Sequence, residues 1–145
     1  DLCGVGKNFQ DHVLAPYLVL SKNPSNIRSS SGCAETNGYL NGRSVKSDTP
    51  NIQLTAANLL VDMSGKHPPS AGYTFCVNNL TPKSRGEITL GSRSPFDAPL
   101  INANFLEHPD DVTILVEGLQ RMREIGTHCA FDRIIKEEYK PSKNA

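Results

Sequence analysis

Pro109-Asp110-Asp111-Val112-Thr113-Ile114-Leu115-Val116-Glu117-Gly118-Leu119-Gln120-Arg121-Met122-Arg123-Glu124-Ile125-Gly126 has the layout of one amphipathic helix. A proline is tolerated at the first helical position, where its missing N–H would have no partner anyway. Asp110 and Asp111 set negative charge against the positive end of the helix dipole. Val112, Leu115, Val116, Leu119 and Met122 recur at helical spacing and predict a single apolar stripe. Arg121 and Arg123 lie toward the far end, and Gly126 is a natural stop.

The residues upstream read as strands. Pro50 opens Asn51-Ile52-Gln53-Leu54-Thr55-Ala56-Ala57, where Ile52, Leu54 and Ala56 alternate with polar neighbours, the period of a half-buried strand. Val13 to Leu20 is apolar enough for a strand, and Pro16 within it predicts an edge or a bulge. Ala34–Leu40, ended by the turn pair Asn41-Gly42, and Gly72–Leu80 are further strands. Glu87–Leu90 and Leu100-Ile101 are short extended pieces. Between them, residues 21–33, 43–49 and 64–72 are rich in Ser, Asn, Pro and Gly and read as loops, the first of them disordered. A short second helix is expected over Phe131–Ile135, and the tail from Lys140 to Ala145 is expected to fray. Several strands followed by one long helix, with no strand–helix alternation, predict an α+β domain whose largely antiparallel sheet is backed by helices.

Composition narrows the function classes. A chain of 145 residues is long enough for one domain with its own core. Fifteen basic residues balance fifteen acidic ones. Strong attraction to nucleic acid or to an anionic membrane surface needs a basic excess, so neither partner is expected. No segment approaches the roughly 20 apolar residues of a membrane span. The chain opens on Asp1-Leu2-Cys3-Gly4, as if cut from the middle of a longer one. Cys3, Cys33, Cys76 and Cys129 are too scattered for a disulfide framework or a zinc pattern and are expected to be buried or half-buried thiols.

Candidate chemistry is sparse. Gly4-Val5-Gly6-Lys7-Asn8-Phe9 resembles a nucleotide loop but puts Phe9 where a third glycine is needed and Asn8 where a phosphate loop has Ser or Thr. A tight turn that needs glycine's backbone freedom is the better reading. Asp11-His12 has no nucleophile motif beside it, and a role in capping loop backbone groups is favoured over acid–base work. His67, His108 and His128 lack ligand spacing, so no metal site is expected. Asn79-Leu80-Thr81 matches a glycosylation acceptor, a pattern that often arises by chance. The residue chemistry alone therefore gives a soluble α+β domain with no catalytic constellation of its own.

Two stretches resemble the glucose–methanol–choline (GMC) family of oxidoreductases. Leu2-Cys3-Gly4-Val5-Gly6-Lys7-Asn8-Phe9-Gln10-Asp11-His12 is similar to that family's Leu-Pro-Gly-Val-Gly-x-Asn-Leu-Gln-Asp-His. Pro82-Lys83-Ser84-Arg85-Gly86-Glu87-Ile88-Thr89-Leu90 is similar to its Pro-x-Ser-Arg-Gly-x-Val-x-Leu. Ser92-Arg93-Ser94-Pro95 and Pro99-Leu100-Ile101-Asn102-Ala103-Asn104-Phe105-Leu106 follow in family order, with Ser94 in place of Asp and Phe105 in place of Tyr. Pro50-Asn51-Ile52-Gln53 lies between the two at matching spacing.

The resemblance implies a fragment of an FAD-dependent enzyme that oxidises CH–OH groups by hydride transfer to flavin. It implies that residues 1–12 are the exit segment of the FAD-binding domain, 13–140 a partial substrate-binding domain, and 141–145 a frayed tail. The flavin fingerprint would lie upstream and the catalytic His downstream, so no catalytic residue and no metal ligand is assigned in this chain. Asn8 and His12 are the candidates for lying near the FAD. The implied partners are a small-molecule alcohol and the remainder of the parent chain. The stretch from His12 to Pro50 is shorter than the family's, and the fragment alone is expected to be inactive. Two other readings compete: a non-enzymatic binding module that keeps the scaffold without the chemistry, and a metal-dependent or hydrolytic enzyme, for which no ligand or nucleophile motif is present.

Overall fold

The structure is a computed structural model that describes residues 2–24 and 34–141. The alternating run after Pro50 forms strand β3 (Ile52–Ala57). It joins β1 (Leu14–Ser21), β2 (Ala34–Leu40), β4 (Gly72–Asn79) and β7 (Ile135–Lys140) in one antiparallel sheet of order β2-β3-β4-β1-β7. A second, two-stranded sheet pairs β5 (Glu87–Thr89) with β6 (Leu100–Asn102). Helix α1 runs from Pro109 to Gly126. The expected α+β class, an antiparallel sheet backed by helix, is what the chain adopts.

Register sorts the strand residues by face. Leu54 lies opposite Val77, Ala56 opposite Phe75, and on the other flank Tyr17 opposite Phe75 and Ala15 opposite Val77. All point to the side on which α1 packs, where Tyr17, Val19, Ile52, Leu54, Phe75 and Val77 form the core with Ile114, Leu115 and Met122. Each such aliphatic or aromatic side chain contributes about 1.5–3 kcal/mol when fully buried. Gln53, Thr55, Asn37 and Tyr39 point the other way. On that second face the 58–71 segment folds back over β1. Val61 N–H donates to the Thr74 hydroxyl, and Asp62 accepts from Lys140 Nζ at 2.7 Å and from the Tyr139 hydroxyl at 3.2 Å. Leu18 and Leu20 are buried on that side.

The helix forms where expected but is rotated about its axis. Val112 and Val116 are 43% and 48% exposed. The buried set is Asp111, Ile114, Leu115, Glu117, Gly118, Met122 and Gly126. Gly118 explains the rotation. It is the point of closest approach to the sheet, where an added Cβ would overlap Val77 Cγ1 and crowd Ile52. Asp111, seven residues earlier, shares that face. A carboxylate is not an expected core residue, so hydrophobic periodicity missed it.

Other departures concern the C-terminal quarter. The expected helix over Phe131–Ile135 is instead a 3₁₀ turn at Cys129–Phe131, and Ile135–Lys140 is a strand. Lys136, Glu137 and Lys140 carry no apolar alternation, so pairing to β1 and side-chain bonds define this edge strand. Glu138 takes a bidentate bond from Arg123 at 2.7 and 2.9 Å. Charged residues on an edge also discourage pairing with another chain. Lys140 therefore belongs to the sheet and not to a frayed tail, and residues 142–145 lie outside the described residues. Pro16 sits in an interior strand, yet β7 pairs no further than Leu18, so its β7 side is open. Bulges do interrupt the β1–β7 ladder, at Leu18/Val19 and Leu20/Ser21. Ser21 closes β1, while the part of the expected disordered loop at 25–33 lies outside the described residues. Cys76 is half-buried as expected, whereas Cys3 and Cys129 are exposed and Cys33 falls outside the described residues.

Gly118→Ala tests the contact between helix and sheet. Overpacking against Val77 costs about 1–3 kcal/mol, and the gain in helix propensity offsets about 1 kcal/mol of it. The variant is expected to unfold at lower urea concentration than the parent. An equal or higher midpoint would show that α1 does not approach β4 this closely.

Candidate functional site

Asp111 sits 2% exposed at the start of α1, with its carboxylate turned into the protein. One oxygen accepts from Asn79 Nδ2 at 3.1 Å and from the Lys83 N–H at 2.8 Å. The other accepts from the Ser84 N–H at 2.8 Å and the Ser84 hydroxyl at 2.5 Å. The Ser84 hydroxyl in turn accepts from the His108 N–H at 3.0 Å. One carboxylate therefore ties together the end of β4, the loop that leads into β5, and the N-terminus of α1. Burial pushes the Asp111 carboxyl up, but the Ser84, Lys83 and Asn79 donors outweigh it and hold the group below the usual carboxylate range. Glu117 does similar work one element away. It accepts from the Arg43 and Ser44 amides at 2.7 and 3.0 Å, and these bonds lower its pKa against the opposing effect of burial.

The Asp111 anchor explains why Pro82-Lys83-Ser84-Arg85-Gly86 has the composition it does. Ser84 is the residue Asp111 holds. Arg85 Nη1 folds back onto the Pro82 and Ser84 carbonyls at 2.7 and 2.9 Å. Gly86 is where the chain passes against the Asn102 and Ala103 carbonyls, which any Cβ would strike. The sequence signal was present as a polar, Gly-containing run between strands. Its partner lies 27 residues away, beyond what local pattern can show.

The N-terminal segment docks on this same unit. Phe9 and Gly86 exchange both backbone hydrogen bonds at 2.9 Å, and the Ile88 N–H donates to the Gly6 carbonyl at 2.7 Å. Phe9 stacks near Phe105, ring centroids 6.0 Å apart, and Lys7 pairs with Glu87 at the surface. The two stretches singled out in the sequence, with Phe105, are thus one contiguous structure. Its surface carries exposed apolar side chains: Leu90 and Phe96 are 85% and 95% exposed, Leu2 and Val5 are exposed, and so are Leu100 and Ile101, which point to opposite faces of the β5–β6 pair. Val5, Gly6, Ile88, Leu90 and Pro99 line a hollow of about 490 Å³ there.

Asn8 and His12 are both exposed on this segment. Asn8 has a φ of 64°, a left-handed conformation that Asn tolerates better than most residues. His12 borders a hollow of about 220 Å³ with Gln10, Asp11, Leu80 and Pro82. Asp11 Oδ1 accepts the His12 N–H at 2.8 Å. The segment does not form a phosphate cradle. Its Val5, Lys7 and Phe9 amides are already donated to Leu2, Gly4 and Gly86, and the next element after it among the described residues is strand β1, not a helix. Gly6, at φ 78°, is needed because a Cβ would strike the Ile88 carbonyl.

The remaining motifs have structural uses. His108 and His128 cap α1 and the 3₁₀ turn, each accepting at Nδ1 from the amide two residues on at 3.2 Å. The described residues contain no cluster of three or more His, Cys, Asp or Glu able to hold a metal ion. Asn79 is 1% exposed, and its side-chain nitrogen is given to Asp111, so it is not a free acceptor for a glycan. No described helix is long and apolar enough to cross a membrane.

Comparison with known proteins places this unit. The sequence model described as GMC oxidoreductase matches residues 82–145, which begin at the Asp111-held loop. An alcohol dehydrogenase (acceptor) of Pseudomonas putida is 31% identical over 97% of this chain, which spans 30% of that protein. An oxygen-dependent choline dehydrogenase of Staphylococcus epidermidis is 30% identical over 90% of the chain and 27% of its own length. The chain thus covers less than a third of these relatives. Among solved structures, a pyridoxine 4-oxidase from Mesorbium loti superposes with a TM-score of 0.84 at 22% identity, over 97% of this chain and 28% of that one. An Aspergillus oryzae formate oxidase superposes at 0.79 and 19% identity. At such identities the structures establish the shared fold.

Two outcomes are expected. Because Asp111 and Glu117 both have depressed folded-state pKa values, the stability they provide is full above the ordinary carboxylate range. It is lost as pH falls through about 4 and below. Urea unfolding from pH 6 down to 2.5 should show that loss, with a shallower slope in Asp111→Asn. Gly6→Ala should speed hydrogen exchange at the Ile88 amide while Val77 in the core stays protected. Unchanged exchange at Ile88 would mean that the segment does not dock on β5.

Proposed function

The chain belongs to the glucose–methanol–choline oxidoreductase family, and on that footing we propose that it is the substrate-side part of an FAD-dependent enzyme that oxidises the CH–OH group of an alcohol. The observation that carries the reading is the single unit built from Gly4–Phe9, Pro82–Leu90 and Phe105. It gathers the family-like segments and leaves Leu2, Val5, Leu90, Phe96, Leu100 and Ile101 exposed on its surface. Exposed apolar surface of that kind marks a region made to be covered. In this reading the flavin-bearing part of the same polypeptide covers it.

The division of labour follows from what the segment lacks. Three amides of the Gly4–Phe9 turn are donated within the fold and no helix follows it directly among the described residues, which favours a role for this turn other than gripping the FAD diphosphate. The cofactor is gripped by residues outside this chain and supplies the hydride acceptor. Residues 1–12 lead out of the FAD-binding domain and 13–140 belong to the substrate-binding domain. Asn8 and His12, exposed on the docked segment, lie near the cofactor with chiefly structural roles and take no part in the chemistry. The alcohol meets the open face of the sheet, where Asn37 Oδ1 accepts from Gln53 Nε2 at 3.0 Å and the Thr55 hydroxyl at 2.7 Å beside Tyr39.

Ile101→Asp separates this reading from a stand-alone binding module. Ile101 is 63% exposed, so in the chain alone the change should alter stability by no more than about 0.5 kcal/mol. In the complete polypeptide it should lower flavin content and alcohol-dependent flavin reduction under anaerobic conditions. FAD added to the chain alone should stay free in solution. Full flavin loading in the Ile101→Asp polypeptide, or stoichiometric FAD uptake by the chain alone, would contradict the proposal.

A further inference from the structure

On the helix-covered side of the sheet, away from the docked segment, the end of α1, the 3₁₀ turn and β7 border an open hollow of about 400 Å³. Tyr17 reaches it from β1, with its ring tip 3.0 Å from where a Cβ on Gly126 would sit. Tyr17 is 2% exposed as a residue, and its hydroxyl makes no hydrogen bond with any other described residue; no buried side-chain oxygen among the described residues lacks a partner, so this hydroxyl opens onto the hollow. A phenol with its ring in the core and its O–H at a cavity wall is ready to take a partner. Burial and the nearby Glu138 carboxylate raise its pKa, so it stands as a neutral O–H donor facing the hollow.

The surrounding groups define what would answer it. Arg123 spends Nε and Nη2 on Glu138, leaving Nη1 free to donate. Glu138, its side chain 4% exposed, keeps lone pairs in reserve. Thr127 donates its hydroxyl to the Arg123 and Glu124 carbonyls and can still accept. Phe131 and Ile135 form an apolar wall. The lining charges balance, with Arg123 paired to Glu138 and Lys136 to Glu137, and with Lys22, bonded to the Asp132 carbonyl, matched in sign by the Asp132 carboxylate. The C-terminal end of α1 also turns its negative pole this way, which disfavours an anion. A hydroxyl is the group that accepts from Tyr17 while donating to Glu138 or Thr127.

We propose that this hollow is a binding site for a small neutral alcohol with an apolar flank, separate from the docked segment and from the polar face of the sheet. The test is an NMR titration of the chain with benzyl alcohol, with toluene and benzoate as controls, following the amides of Tyr17, Arg123, Gly126 and Phe131. Benzyl alcohol should shift them saturably, toluene and benzoate more weakly. Tyr17→Phe, which keeps the ring packing, should weaken benzyl alcohol binding by about 3- to 10-fold and leave toluene unaffected. No saturable shift with benzyl alcohol, equal binding of toluene, or unchanged affinity in Tyr17→Phe would each overturn the proposal.

Discussion

A buried carboxylate with four donors around it holds this structure together. Asp111 enters the protein on the face of α1 that Gly118 presses against β4, and it is tolerated there because every lone pair is used. Removing it would leave several buried donors unpaired, at about 1–3 kcal/mol each. The small β5–β6 sheet buries little of its own surface and is too short to persist alone. Its position depends on the Ser84 loop being fixed to the helix, and the N-terminal segment depends on β5 and Gly86 in turn. The chain of support therefore runs from core to helix, to loop, to hairpin, to the segment bearing Asn8 and His12.

That hierarchy separates two kinds of surface. The main sheet and α1 supply an ordinary core, with the β2–β3 part of the second, polar face left open while the 58–71 segment covers it over β1. The hairpin unit is the reverse: few buried contacts and many exposed apolar side chains, among them Leu90, Phe96 and Ile101. Such a unit is held in place through its anchor, and it leaves much apolar surface open. This agrees with a chain that spans 30% of its P. putida relative.

Much of the fold was legible in the sequence. Strand β3 follows from strict alternation, and α1 follows from its spacing and its Pro109 start. What could not be read depends on distant partners. The helix face was misassigned because Val112 and Val116 are as apolar as Leu115, while the deciding contact is between Gly118 and Val77. Strand β7 has no periodic signal, since Arg123 and β1 define it. Family likeness picked out Ser84, Arg85 and Gly86, but only the structure shows Ser84 as a helix anchor and Gly86 as a close crossing. Asn8 and His12 were marked by the same likeness, and the structure places both at the surface of the docked segment.

The account rests on Asp111 coupling the helix to the Ser84 loop, and a double-mutant cycle measures that coupling directly. Urea unfolding of the parent, Ser84→Ala, Asp111→Asn and the double variant gives the interaction energy between the two side chains. The account predicts a coupling of about 1–3 kcal/mol, as expected for contacting groups in one buried network. Single-variant losses that add to within about 0.5 kcal/mol would contradict it, because Ser84 and Asp111 would then be independent and the hairpin unit would have to be held by something else.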